Sequence, residues 1–156
     1  MSRFRVFAAA FCALLSSGCA FSTGFRDGQA ADLPPDAPVV VALTEAQLSP
    51  DFDAHGVFWS RSSAVLRSLR DHPGLVGYAV RFEIWEGRVR TMTVWRDDAS
   101  LAAFVAGRVH ARAAVEGLPA LADARFARVR TTRAEAPLAW PDVETRLARD
   151  GRGYYE

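Results

Sequence analysis

The chain predicts an α+β domain in the order strand, helix, strand, strand, helix, strand, and three observations carry that expectation. Residues 75–85 and 88–96 alternate apolar with polar side chains on either side of Glu86-Gly87, as a hairpin does. Stretches of helical period lie before and after this hairpin, and β-branched runs at 39–43 and 126–131 bracket the whole.

The first strand is Val39-Val40-Val41-Ala42-Leu43, a short apolar run after Pro38. Asp51 to His55 is a polar loop. Phe58, Val65, Leu66 and Leu69 then recur at helical spacing up to Pro73-Gly74, which predicts a helix over 57–71. In the second strand Val76, Tyr78, Val80, Phe82 and Ile84 share one face, with Arg81 and Glu83 on the other. In the third, Val89, Thr91, Thr93 and Trp95 oppose Met92 and Val94. Asp97 or Asp98 caps a second helix carrying Leu101, Phe104, Val105 and Val109, with Gly107 as its weak point. Phe126 to Thr131 is the fourth strand, and Pro141 opens a last short helix that stops near Gly151.

This order is the ferredoxin-like arrangement, in which an antiparallel sheet carries both helices on one face and leaves the other to be covered. Tyr78, Phe82 and Trp95 would make the uncovered surface apolar, so a symmetric homodimer packed sheet on sheet is the expected solution.

Composition narrows the function classes. Half of the 156 residues are apolar (50%) and 24% are charged, which suits one globular domain rather than a disordered chain, a multi-span membrane protein or a basic nucleic-acid binder. All 19 basic side chains are Arg; the sequence has neither Lys nor Asn, which removes Schiff-base and P-loop chemistry. Gly-x-Ser-x-Gly, dinucleotide-glycine and zinc-protease motifs do not occur.

The N-terminus predicts export. Arg3 and Arg5 precede the apolar run Val6 to Leu15, ten residues that suit a signal peptide and are too short to span a bilayer. Leu15-Ser16-Ser17-Gly18-Cys19 resembles the lipobox of bacterial lipoproteins, with Ser16 where such boxes usually carry Leu. That resemblance implies a signal peptide over 1–18, lipid on Cys19 and, from Ala20 after it, an anchor in the outer membrane facing the periplasm. Losing Arg3 and Arg5 leaves 17 Arg against 18 acidic residues, a net charge of −1 and too near neutral to capture nucleic acid. With Cys12 removed and Cys19 acylated, the mature body has no thiol nucleophile, disulfide or cysteine metal site. Residues 19–37, rich in Gly, Ser and Pro, read as the lipidated Cys and a flexible stalk that holds the domain away from the membrane. The domain proper is expected over 38–134, and 135–156 form a C-terminal extension with a short helix.

The stretch Pro73-Gly74-Leu75-Val76-Gly77-Tyr78, with Thr93-Val94-Trp95-Arg96-Asp97, Ser100-Leu101-x-x-Phe104 and His110-x-x-Ala113, resembles the dimeric α/β-barrel superfamily over about residues 38–134. Its members include antibiotic-biosynthesis monooxygenases, spheroidene monooxygenase and haem-degrading monooxygenases. The resemblance implies the fold more than any one activity, since such a fold hosts many sites. In the haem degraders a second Trp lies nine residues after the one matching Trp95, and a haem-ligating His nineteen after it. Here those positions are Phe104 and Ala114, and the Asn of that subgroup has no counterpart, so haem degradation by that route is not expected. Spheroidene monooxygenase is nearer at Trp95-Arg96 and at His110 and Ala113, but its family is longer than this chain.

His110 is the leading candidate for chemistry. Ala113, Ala114 and Gly117 follow it at helical spacing and leave room on its side for a planar ligand or a partner backbone, and an imidazole there serves as a base or as a haem ligand. Set against this is an ordinary helix histidine beside a small-residue packing face. Tyr78, Phe82, Trp85, Trp95 and Phe104 are candidate walls of a ligand cavity or simply core, and Arg81 or Arg90 candidate anchors for a carboxylate or phenolate. Asp51-x-Asp53-x-His55 has metal-ligand residue types but lacks a fourth ligand and reads as a loop and helix cap, so no metal site is assigned. His72 reads as a helix C-terminal histidine, favourable against the dipole.

The expected protein is therefore a lipid-anchored envelope domain that binds, and in the manner of monooxygenase relatives oxidises, a small hydrophobic or aromatic molecule. No cofactor is required by the sequence; haem on His110 is an alternative, and a non-catalytic assembly lipoprotein another. An enclosed pocket of a few hundred cubic ångströms reached by His110 and an arginine favours the ligand reading, and a filled interior the assembly reading.

Overall fold

The computed structural model describes residues 20–153. The segment over 1–18 expected to be a signal peptide, and Cys19, lie outside the described residues.

Strand β3 (Pro38–Leu48) leads through a 3-10 turn into helix α1 (His55–Arg70); hairpin β4 (Leu75–Glu83) and β5 (Arg88–Trp95) follows. Helices α2 (Asp98–Ala106) and α3 (Arg108–Gly117) lead to β6 (Leu121–Thr132). The central strand order β4-β5-β3-β6, antiparallel throughout, is ferredoxin-like as the pattern predicted. The strands run several residues beyond their apolar cores because β3 pairs with β6 along its whole length, beyond the reach of local periodicity. Gly87, with φ +59°, supplies the left-handed residue that closes the hairpin.

Alternation divides the sheet into two unlike faces. On one, Val40, Tyr78 and Trp95 pack with Leu69 of α1 and Leu101 of α2. On the other, Val39, Val41, Leu43, Ala79, Met92, Val94 and Ala127 form the larger core. Val76 joins this second face, because a register irregularity between Leu75 and Gly77 interrupts the alternation. Tyr78 and Trp95, expected on the open surface, lie under the helices; Phe82 sits edge-on to Trp59 of α1.

The second face is not open. Helix α4 (Trp140–Asp150) lies over it and buries Val143 and Leu147 in its core. The segment expected to be a flexible stalk covers the rest: β1 (Ala20–Ser22) and β2 (Arg26–Asp27) pair antiparallel with β4, and Phe25, Ala30 and Leu33 pack onto the core. Gly28 N–H donates to the Val76 carbonyl (2.9 Å) and Ala30 N–H to that of Leu75 (2.7 Å). The Phe25 ring rests on Gly77, where a Cβ would fall 2.3 Å from it. Trp140 Nε1–H donates to Ser22 Oγ (2.9 Å), tying α4 to this strap. The stalk expectation failed because composition reports the absence of local periodicity, whereas strand pairing with β4 satisfies this segment from outside. β7 (Arg152–Gly153) pairs with β6 beyond the helix. The apolar surface that argued for a sheet-on-sheet homodimer is thus occupied by the chain itself.

Candidate functional site

On the helix-covered side an open surface pocket of about 290 Å³ lies where the end of α1 meets the corner between α2 and α3. The corner exists because the helix predicted as continuous breaks at Gly107, which adopts an extended conformation (φ −61°, ψ 141°) and starts α3 in a new direction. Ser68 and His72 line one side; Phe104, Arg108 and His110 line the other.

Four rings form a continuous wall. Phe104 is 5.0 Å from Trp95, 5.3 Å from His110 and 5.9 Å from His72, and His72 stands edge-on to Trp95 at 5.2 Å. Trp95 is wholly buried and backs the wall, its Nε1–H donating to Thr93 Oγ1 (2.8 Å). His72 sits just beyond α1, and its Nδ1 accepts from Gly74 N–H (3.2 Å), which puts the proton of a neutral ring on Nε2. His110 Nδ1 is buried without a hydrogen-bond partner. Burial holds the His110 pKa below the ordinary histidine value, with the Val105 carbonyl acting the other way. The ring is therefore neutral at pH 7 and able to accept a proton.

The residues lining the cavity include one permanent cation, Arg108, and no carboxylate. Ser68 Oγ–H is spent on the Val65 carbonyl of its own helix (2.9 Å), so the cavity has no activated hydroxyl nucleophile. The arrangement suits a planar anion or a phenol: an aromatic wall, a guanidinium, and a neutral imidazole to take a proton.

Of the sequence candidates, His110 and Phe104 come together here, with Trp95 behind them. Tyr78 lies in the same core but away from the cavity, its hydroxyl accepting from Arg70 Nε (2.9 Å). Arg81 and Arg90 do not take part. Both point to the opposite face, where Arg81 pairs with Glu83 (3.1 Å) and Arg90 with Glu45, Glu83 and Glu144 (2.6, 2.8 and 3.1 Å). The period-two rule put Arg81 opposite Tyr78, and the structure keeps it there. Trp85 projects from the hairpin turn and lines nothing. The small residue Gly117 receives the Phe58 ring of α1 rather than a ligand. Asp51 caps the 3-10 turn through Asp53 N–H (3.1 Å), and His55 Nε2–H donates to the Ser49 carbonyl (2.9 Å). Among the described residues no group of three metal-ligating side chains converges.

His72 and Arg108 were missed as site residues. The signal for His72 was its place in the β-α-β-β-α-β order, since the connection entering β4 lies beside the end of β5. Arg108 had no signal beyond adjacency to Gly107. A pocket of about 290 Å³ suits a ligand of one or two fused rings, on the scale set by the dry cavity of about 150 Å³ that holds benzene.

No family model matches the chain, and no curated protein matches it by sequence. Solved structures do match in fold. A candidate monooxygenase from Fusobacterium nucleatum aligns with TM-score 0.53 and 10% identity over 69% of this chain and 46% of that one, so the chain spans under half of its length. An antibiotic biosynthesis monooxygenase aligns at 0.51 and 14% over 59% and 95%, and a protein from Mycobacterium tuberculosis at 0.51 and 18% over 65% and 96%. The fold is the ferredoxin-like α+β fold of antibiotic biosynthesis monooxygenase-like structures, as the sequence resemblance implied.

Proposed function

We propose that this chain is an envelope lipoprotein, anchored through Cys19, whose domain binds a small aromatic molecule carrying an ionisable phenol or a carboxylate, and oxidises it. The observation that carries the reading is the cavity of about 290 Å³ walled by Phe104 and reached by both His110 and Arg108. For a phenol, neutral His110 accepts the O–H proton and Arg108 stabilises the phenolate. Dioxygen is the oxidant that such an electron-rich anion reduces, in line with the monooxygenase names among the structures of like fold.

Calorimetric titration of the detergent-purified full chain with hydroxynaphthoates and their neutral analogues tests binding. Saturable one-site binding is expected for the anions. It should weaken about tenfold in Arg108→Gln and vanish in Phe104→Ala. Absence of binding across one- and two-ring aromatics would leave the assembly reading. Oxygen uptake with bound ligands, against His110→Gln, then tests the oxidation step.

A further inference from the structure

Six of the large apolar side chains that the fold leaves exposed lie toward one end of the sheet, while others, such as Val109 at the corner of α2 and α3 and Phe126 within β6, lie elsewhere. The end of β3 meets the turn between β4 and β5 there, since Leu48 N–H donates to the Gly87 carbonyl (2.9 Å) and Gln47 Nε2–H to that of Glu86 (2.6 Å). Around this junction Trp85 in the hairpin turn is 77% exposed, Phe52 in the 3-10 turn after β3 79%, and Phe21 in β1 69%. Ile84 is exposed beside Trp85, and Val57 and Trp59 on the first turns of α1 extend the patch. Trp59 is held against Phe82 of β4 at 5.3 Å, and Phe21 is the register partner of that same residue. Folding leaves Phe21, Phe52 and Trp85 largely exposed, which marks an interaction surface.

The course of the chain says what covers it. Ala20 pairs with Glu83, the last residue of β4, so the described chain begins beside Ile84 and Trp85. The proposed lipid anchor, one residue before it, would enter the bilayer at this patch. Since residues 20–33 are packed onto the sheet, no stalk separates the two.

We infer that the Phe21, Phe52, Ile84 and Trp85 end of the sheet is a membrane-seating surface, which rests the domain on the phospholipid interface beside its own anchor. Tryptophan and other aromatic rings with an apolar body and a polar edge suit the headgroup level. The seat also sets the orientation of the cavity. His72 lies just before β4 begins at Leu75, and eight strand steps from Leu75 to Glu83 span about 26 Å. The pocket thus lies about one strand length from the seat, on the side of the domain away from the acyl chains.

The proposal rests on the Cys19 anchor of the proposed function, and the test separates the two. Full chain purified from membranes of a bacterial host is examined by mass spectrometry of its N-terminal peptide, which reports acylation alone. The same protein is placed in phosphatidylcholine and phosphatidylglycerol vesicles with acyl chains brominated near the headgroup, and tryptophan quenching is measured. Strong quenching is expected. Trp85→Phe should lower the quenched fraction by half or more, while Trp140→Phe should leave it unchanged or raised. Both residues are at least partly exposed, so both variants should fold. An acylated chain whose Trp85 emission is unquenched would overturn the seat and leave the anchor standing, and a cross-link from position 85 to an envelope protein would then name the true occupant. Quenching without acylation would keep the seat and remove the anchor. Neither acylation nor quenching would remove both.

Discussion

The two faces of the sheet are built on opposite principles. The face under α4 and the strap is closed: Val143 and Leu147 fill it, and at its far end Arg90, 5% exposed, is satisfied by three carboxylates from β3, β4 and α4. The face under α1, α2 and α3 keeps a cavity, a buried imidazole nitrogen without a partner and a guanidinium on the wall. The comparison teaches that a guanidinium serves structure where carboxylates surround it, as at Arg90, and stays available to a ligand where none lines its site, as at Arg108.

Four substitutions break or sharpen this contrast. A large effect is expected from Arg90→Leu, which removes the most buried cation of this cluster and leaves Glu83 to Arg81 and Arg88 and Glu45 to Arg88; it should cost about 3 kcal/mol in urea unfolding. Leu147→Ala should cost about 2–5 kcal/mol by opening a cavity under α4. Because α4 covers the surface a second copy would use, the native chain should sediment as a monomer at micromolar concentration once detergent is accounted for, and this variant should self-associate. A stable native dimer would show that another surface is used.

Smaller effects belong to the open side. Phe104→Ala should cost about 1–2 kcal/mol, since its ring is only partly buried, yet abolish aromatic binding. His110→Phe should change the pH dependence more than the stability at pH 7. Its folded pKa lies below the ordinary 6.5, so the unfolded chain binds the proton more readily. The stability contributed by the neutral buried ring is full above about pH 6.5 and is lost as pH falls from there through the folded pKa. Melting temperatures at pH 7.5 and 5.5 should therefore differ more for the native chain than for His110→Phe. Equal differences would place the ring in solvent.

Most of the fold was legible. Strand alternation, the Glu86-Gly87 turn, Pro73-Gly74 and the Asp97 cap are local signals, and Asp97 does accept from Ser100 N–H (2.6 Å). Half of the site was legible as well: His110 and Phe104 stand out by residue type, whereas His72 and Arg108 become site residues only when the turn at Gly107 brings α3 back toward the end of α1. The anchors assigned to Arg81 and Arg90 failed because chemistry was read without the face on which it falls. The stalk expectation failed because Gly, Ser and Pro between residues 20 and 38 look the same in a mobile stalk and in a segment hydrogen-bonded to β4.

The sequence by itself determined the element order, the ferredoxin-like class and the chemical classes excluded by a chain without Lys or Asn, because these follow from local periodicity and from which functional groups exist at all. Only the tertiary structure decided which face is sealed, which histidine lines the cavity and which cation accompanies it. Those are contacts between residues far apart in sequence, and no local pattern encodes a distance across space.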